Sequence, residues 1–83
     1  EILAANNLRE VIFESLSNLP EDIRTAISLR EFEGLSYEEI SEVLDCPIGT
    51  VRSRIFRGRE IIQEKISPLL ENNRELIRES KRI

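Results

Sequence analysis

Residues 35–59, Leu35-Ser36-Tyr37-Glu38-Glu39-Ile40-Ser41-Glu42-Val43-Leu44-Asp45-Cys46-Pro47-Ile48-Gly49-Thr50-Val51-Arg52-Ser53-Arg54-Ile55-Phe56-Arg57-Gly58-Arg59, hold the signals that decide the fold. Ser36 followed three residues later by Glu39 is a capping box: the hydroxyl accepts from the Glu39 N–H while the carboxylate reaches back to the N–H of Ser36. Leu35 and Ile40 stand where a hydrophobic staple requires them. The spacing predicts a short helix ending near Leu44, with Tyr37, Ile40, Val43 and Leu44 facing inward. Asp45-Cys46 makes a tight break, and Pro47 restarts the chain as a first-turn proline.

From Pro47 to Lys65 the apolar positions again recur at helical spacing. At about 100° per residue from Val51, the positions Ile55, Gly58, Ile62 and Ile66 fall within about 60° of one another and define a buried stripe. Gly49, Arg52, Ser53, Phe56, Arg57 and Glu60 fall on the other side, with Phe56 about 140° from Val51. A capped helix, a tight turn and a second helix with a basic outer face make a candidate helix-turn-helix.

Outward, the rest of the chain is also helical. Leu8, Val11, Ile12 and Leu16 share one face of residues 2–17, and residues 1–7 are a linker or a helix start. The chain opens inside a helical pattern, as expected of a piece of a longer protein. Leu19-Pro20-Glu21-Asp22 is a helix entrance, with proline in the first turn and two carboxylates at the positive end of the dipole. That helix buries Ile23, Ala26, Ile27 and Leu29 and stops near Gly34, a left-handed cap. Pro68 is expected to end or kink the long helix. Residues 71–83 form a C-terminal tail, readable as one more polar helix anchored by Leu76 and Ile77. The expected fold class is all-α, a small bundle of four to five helices containing the helix-turn-helix, with residues 8–70 as its domain.

Composition limits the chemistry. The 83 residues contain no His and one Cys, Cys46, so an internal disulfide is excluded and a zinc site has too few ligands. Without His there is no ordinary Ser–His or Cys–His pair, and the three glycines form no phosphate-binding fingerprint. The inventory argues against an enzyme and calls for no cofactor. No apolar run approaches the ~20 residues needed to cross a bilayer, and a reduced, cytoplasmic setting fits. The net charge is −4, but residues 1–48 carry 11 acids and 3 bases while residues 49–83 carry 5 acids and 9 bases. Four of those nine bases, Arg52, Arg54, Arg57 and Arg59, lie within eight residues. A basic stripe on an acidic domain still creates a local positive potential.

Two readings stand beside each candidate residue. Phe56 between arginines suits apolar contact with a thymine methyl, or it packs under the segment after Pro68. Arginine reads guanine bidentately and also clamps phosphates. Arg54 points to the flank, toward phosphate or a neighbouring acid such as Glu42. Gly49 and Thr50 lie in the first turn, where free N–H groups and the hydroxyl can hold a phosphate. Equally, Gly49 relieves crowding and Thr50 caps. Arg30 suits the dipole at the end of its helix. Tyr37 reads as core and Cys46 as a small buried filler.

Taken together, Leu19-Pro20, the run from Leu29 to Ile40 and the run from Cys46 to Arg59 closely resemble region 4 of bacterial sigma factors. The extracytoplasmic-function, sigma-E-like group is the nearest match, over about residues 8 to 70. The resemblance implies a DNA-binding domain that reads the promoter −35 element, of GGAAC type, in the major groove of double-stranded DNA. It implies base contacts by Arg52, Ser53, Phe56 and Arg57, and backbone contacts by Arg30, Gly49 and Thr50; Arg54 and Arg59 are further candidates for the backbone. As partners it implies the RNA polymerase core, through its beta flap in the concavity of residues 19–45, and an anti-sigma factor. A monomer outside the holoenzyme and no membrane partner are expected. The region that binds the −10 element is lacking, so this chain alone is not expected to start transcription, and the tail from Glu71 matches nothing.

Two other readings compete with it. One is a protein-interaction module whose helical groove holds a partner helix. The other is a LuxR-type dimeric regulator, which shares the helix-turn-helix but needs a self-complementary face.

Overall fold

The computed structural model describes the backbone of residues 2–82 and the side chains of residues 7–71. Four helices follow one another: α1 (Ile2–Ser17), α2 (Glu21–Glu31), α3 (Tyr37–Leu44) and α4 (Ile48–Arg82). No strand occurs among the described residues, so the all-α expectation holds with four helices. No helix there is long and apolar enough to cross a membrane.

Each boundary has a local cause. Pro20 precedes α2, and its carbonyl accepts from Arg24 N–H at 2.9 Å. Glu21 and Asp22 occupy the first turn and Arg30 the last, all in the sense the helix dipole favours. Beyond α2 the chain reverses at Gly34, whose φ of 73° is left-handed, and Leu35 N–H returns to the Leu29 carbonyl at 3.0 Å. The capping box of α3 is complete: Ser36 Oγ accepts from Glu39 N–H at 3.1 Å, and Ser36 N–H donates to Glu39 Oε1 at 2.8 Å. Asp45 ends α3 at φ 52°, a left-handed position that Asp tolerates better than most residues. Cys46 N–H then bonds to Ser41 O, Ser41 Oγ–H donates to Cys46 O, and the Pro47 carbonyl accepts from Thr50 and Val51.

The core is the meeting of these helices on α4, which packs against each of the other three. Leu16, Leu19, Ala26, Ile27, Ile40, Val51 and Ile55 are its buried members. Ile12, Ile23, Leu29, Leu35, Tyr37, Leu44, Ile61 and Ile62 are partly buried against them. The expected stripe of α4 is present, with Val51, Ile55 and Gly58 buried and Ile62 and Ile66 half-buried.

Two expectations change. Val43 is 61% exposed rather than inward. From Tyr37 it lies about 240° round the helix, whereas Ile40 and Leu44 lie within about 60° of Tyr37, so an eight-residue helix has no inner face left for it. And Pro68 neither ends α4 nor leaves a separate helix at residues 71–83, because the backbone stays helical from Ile48 to Arg82. A proline removes one backbone donor and crowds the carbonyl four residues earlier, and the flanking turns keep their other bonds. The expected anchors Leu76 and Ile77 lie outside the described side chains.

Candidate nucleic-acid interface

The outer face of α4 is fixed by what its inner face does. Val51 and Ile55 are 0% and 1% exposed, which pins the rotation of the helix about its axis. Gly58 is buried where α2 comes closest: a Cβ there would lie 2.6 Å from Ile27 Cγ1 and 2.9 Å from Ile23 Cγ2. The same rotation turns Arg52, Ser53, Phe56, Arg57, Arg59 and Glu60 outward, and all six are exposed. Phe56 is 68% exposed, so it does not pack under the segment following Pro68.

Gly49 is exposed and Thr50 half-buried in the first turn of α4. Nothing lies within 4 Å of a Cβ built on Gly49, so this turn is open on its outer side. Backbone N–H groups at an open helix start are donors for an anion, and the small residue leaves room for a close approach.

The arginines fall into two groups. Arg54, Arg57 and Arg59 each face a carboxylate. Arg57 Nη1 donates to Glu60 Oε1 at 2.7 Å, one turn along the helix. Arg59 Nε donates to Glu31 Oε1 at 2.9 Å, with Nη2 on the same oxygen, tying α4 to the end of α2. That contact, chiefly through its hydrogen bond, raises the Arg59 pKa above the ordinary value, so its charge is permanent. Arg54 Nε stands 3.5 Å from Asp22 Oδ2 on α2 rather than beside Glu42, and its Nη1 is 3.9 Å from the Cys46 sulfur. Arg30 and Arg52 have no salt bridge among the described residues. Arg30 Nη1 donates to the Leu35 carbonyl at 2.9 Å. Both guanidinium carbons lie over the ring of Tyr37, at 4.9 Å for Arg30 and 5.9 Å for Arg52.

Sequence reasoning missed these relationships, the Arg59–Glu31 and Arg30–Tyr37 contacts among them. The Arg57–Glu60 pair was visible as an i, i+3 spacing of opposite charges. The Asp22–Arg54 and Tyr37–Arg52 contacts join separate helices and left no local trace. Tyr37 is half-buried against the core, as its spacing indicated, but it also carries the two unpaired arginines. Cys46 is a free thiol and only half-buried.

A short capped helix, a three-residue turn with a left-handed Asp45, and a second helix that keeps its basic face outward make this a helix-turn-helix protein. The chain belongs to the sigma-70 region 4 family, whose model ("Sigma-70, region 4") matches residues 9–62. It is 59% identical over 68 residues to the ECF RNA polymerase sigma-E factor of Haemophilus influenzae, covering 82% of this chain and 36% of that protein. It is 55% identical over 69 residues to the factors of the same name from Escherichia coli K12 and Salmonella typhimurium, covering 83% of this chain and 36% of each relative. The chain thus spans about a third of the length of these curated relatives.

Proposed function

We propose that this chain is the part of a cytoplasmic sigma factor that reads the −35 promoter element, inserting the first turns of α4 into the major groove. The observation that carries this reading is Phe56, 68% exposed between Arg52 and Arg57 on the outer face of the second helix of a family-matching helix-turn-helix. An apolar ring turned largely to solvent contributes little to the core, but beside two guanidinium groups it matches the mixed apolar and hydrogen-bonding edge of a base pair. In this reading Arg52, Ser53, Phe56 and Arg57 contact bases. Gly49 and Thr50 meet phosphate at the start of α4, and Arg30, Arg54 and Arg59 line the flanking backbone. Arg54, Arg57 and Arg59 exchange their carboxylate partners for DNA on binding. No step requires catalysis or a cofactor.

The test is fluorescence anisotropy of the chain on a GGAAC-type duplex and on a scrambled one. Preference for the first that Phe56→Ala abolishes supports the reading. Equal binding to both rejects direct base reading by the isolated chain.

A second surface supports protein partners. Phe32 at the end of α2 and Val43 on α3 are each 61% exposed, within the stretch expected to meet the polymerase beta flap. A beta-flap fragment should bind the chain, and Phe32→Ala with Val43→Ala should weaken that binding without changing DNA preference. An anti-sigma factor would compete for the same apolar residues. Sedimentation should give a monomer, and a dimer would favour the LuxR-type alternative.

A further inference from the structure

Of the five arginines assigned to the DNA face, three are neutralised by carboxylates, Arg54 by Asp22, Arg57 by Glu60 and Arg59 by Glu31. The other two, Arg30 and Arg52, converge on one aromatic ring. They come from different helices, Arg30 from the last turn of α2 and Arg52 from the second turn of α4, while Tyr37 opens α3. The ring is itself held: Ser36 and Glu39 lock the first turn of α3 through the capping box, and Tyr37 packs against the core. A π face attracts a guanidinium without neutralising its charge and leaves its N–H donors open, apart from the Arg30 Nη1–H taken by the Leu35 carbonyl. A carboxylate neutralises the charge and takes the donors. A long side chain restrained before binding loses less rotamer freedom when it binds.

We propose that Tyr37 is a positioning residue for DNA recognition, holding Arg30 and Arg52 on its ring as charged, preorganised donors. This rests on the DNA-binding reading above. Tyr37 acts through the two arginines and sets the strength of their contacts, with Arg52 as the one aimed at bases.

The experiment is a double-mutant cycle on the 83-residue chain, read as anisotropy on the GGAAC-type and scrambled duplexes. Tyr37→Leu should weaken cognate binding about three- to tenfold. Tyr37→Phe, which keeps the π face, should bind within about twofold of the unmodified chain. In the Arg52→Ala background, Tyr37→Leu should lose much of its effect on cognate binding, because the base-directed partner is already gone. Since Tyr37 also packs against the core, Tyr37→Met, with apolar volume but no π face, is run beside Tyr37→Leu, and thermal unfolding shows which variants stay folded. Additive losses in the cycle, or Tyr37→Phe as damaging as Tyr37→Leu, would overturn the Tyr37 role while leaving DNA reading intact. No preference by the unmodified chain would remove the DNA reading and the Tyr37 role together.

Discussion

The Ile27 side chain of α2 packs directly on the bare backbone of Gly58 in α4: a Cβ on Gly58 would stand 2.6 Å from Ile27 Cγ1, and Ile27 is only 2% exposed. That contact sets how closely α4 seats on the domain, and with Val51 and Ile55 it fixes which residues α4 turns outward. Gly58→Val should therefore destabilise the fold by about 2–3 kcal/mol, through overpacking against a β-branched neighbour that cannot swing away. Gly58→Ala should cost less, because Ala regains about 1 kcal/mol of helix propensity. Urea unfolding checks both, and an unchanged midpoint for Gly58→Val would show that α2 and α4 can separate freely.

The start of α3 gives a pH-dependent prediction. Hydrogen bonds from the backbone and hydroxyl of Ser36 hold the Glu39 carboxyl below its ordinary value of 4.5. A depressed folded pKa means that the stabilisation is fully present above 4.5 and fades as the pH falls through the lower folded value. Glu39→Gln should flatten the stability profile in that acidic window and lower stability at pH 7, where the contribution of the ionised carboxylate is fully present. Ser36→Ala should cost about 1 kcal/mol at neutral pH through loss of the N-cap. Thermal unfolding between acid and neutral pH reads both, and a profile for Glu39→Gln identical to the unmodified one contradicts the linkage.

The Arg59–Glu31 contact joins α4 to α2, yet its side chains are 52% and 44% exposed. Solvent and salt screen such a pair, so Glu31→Gln should change stability by less than about 1 kcal/mol. It also frees the Arg59 guanidinium and removes a negative charge beside the DNA face. Binding to cognate and scrambled duplexes should tighten alike, by about two- to fivefold at low salt. A selective gain on the cognate duplex would instead place Arg59 among the base readers.

How much of this was legible depended on the range of each interaction. The capping box of Ser36 and Glu39, the break at Asp45 and the buried stripe of Val51 and Ile55 are set within one or two turns of chain, and the sequence carries them openly. The outward direction of Phe56 followed from the same helical arithmetic. Val43 was misplaced because a spacing rule suited to longer helices overfills the inner face of an eight-residue one. Pro68 reads locally as a break, yet the helix continues through it. Arg54 with Asp22, and Tyr37 with Arg30 and Arg52, depend on how separate helices dock. No periodicity encodes that. The role of the outer face as a DNA reader came from its resemblance to a known family, and the geometry supplied the reason it is available.

Salt dependence separates this domain from a simple basic binder. With a net charge of −4, and with Arg54 and Arg59 giving up Asp22 and Glu31 before they meet phosphate, few phosphates should be neutralised on binding. The slope of log affinity against log salt falls by about 0.9 per phosphate neutralised, so it should be shallow, and isolated binding weak. A steep slope, at about −6 or beyond, would indicate a backbone-dominated mode that the paired arginines do not support.

The most direct measurement is a duplex scan, in which each base pair of the −35 element is changed in turn and binding is compared between the unmodified chain and Arg57→Ala. If the outer face of α4 reads bases, Arg57→Ala costs about 1–3 kcal/mol on the cognate duplex and erases discrimination at one base pair while preserving it at the others. If Arg57→Ala instead weakens every duplex by the same factor, Arg57 contacts only phosphate and is no reader; if the unmodified chain discriminates at no base pair of the scan, base reading by this face is contradicted.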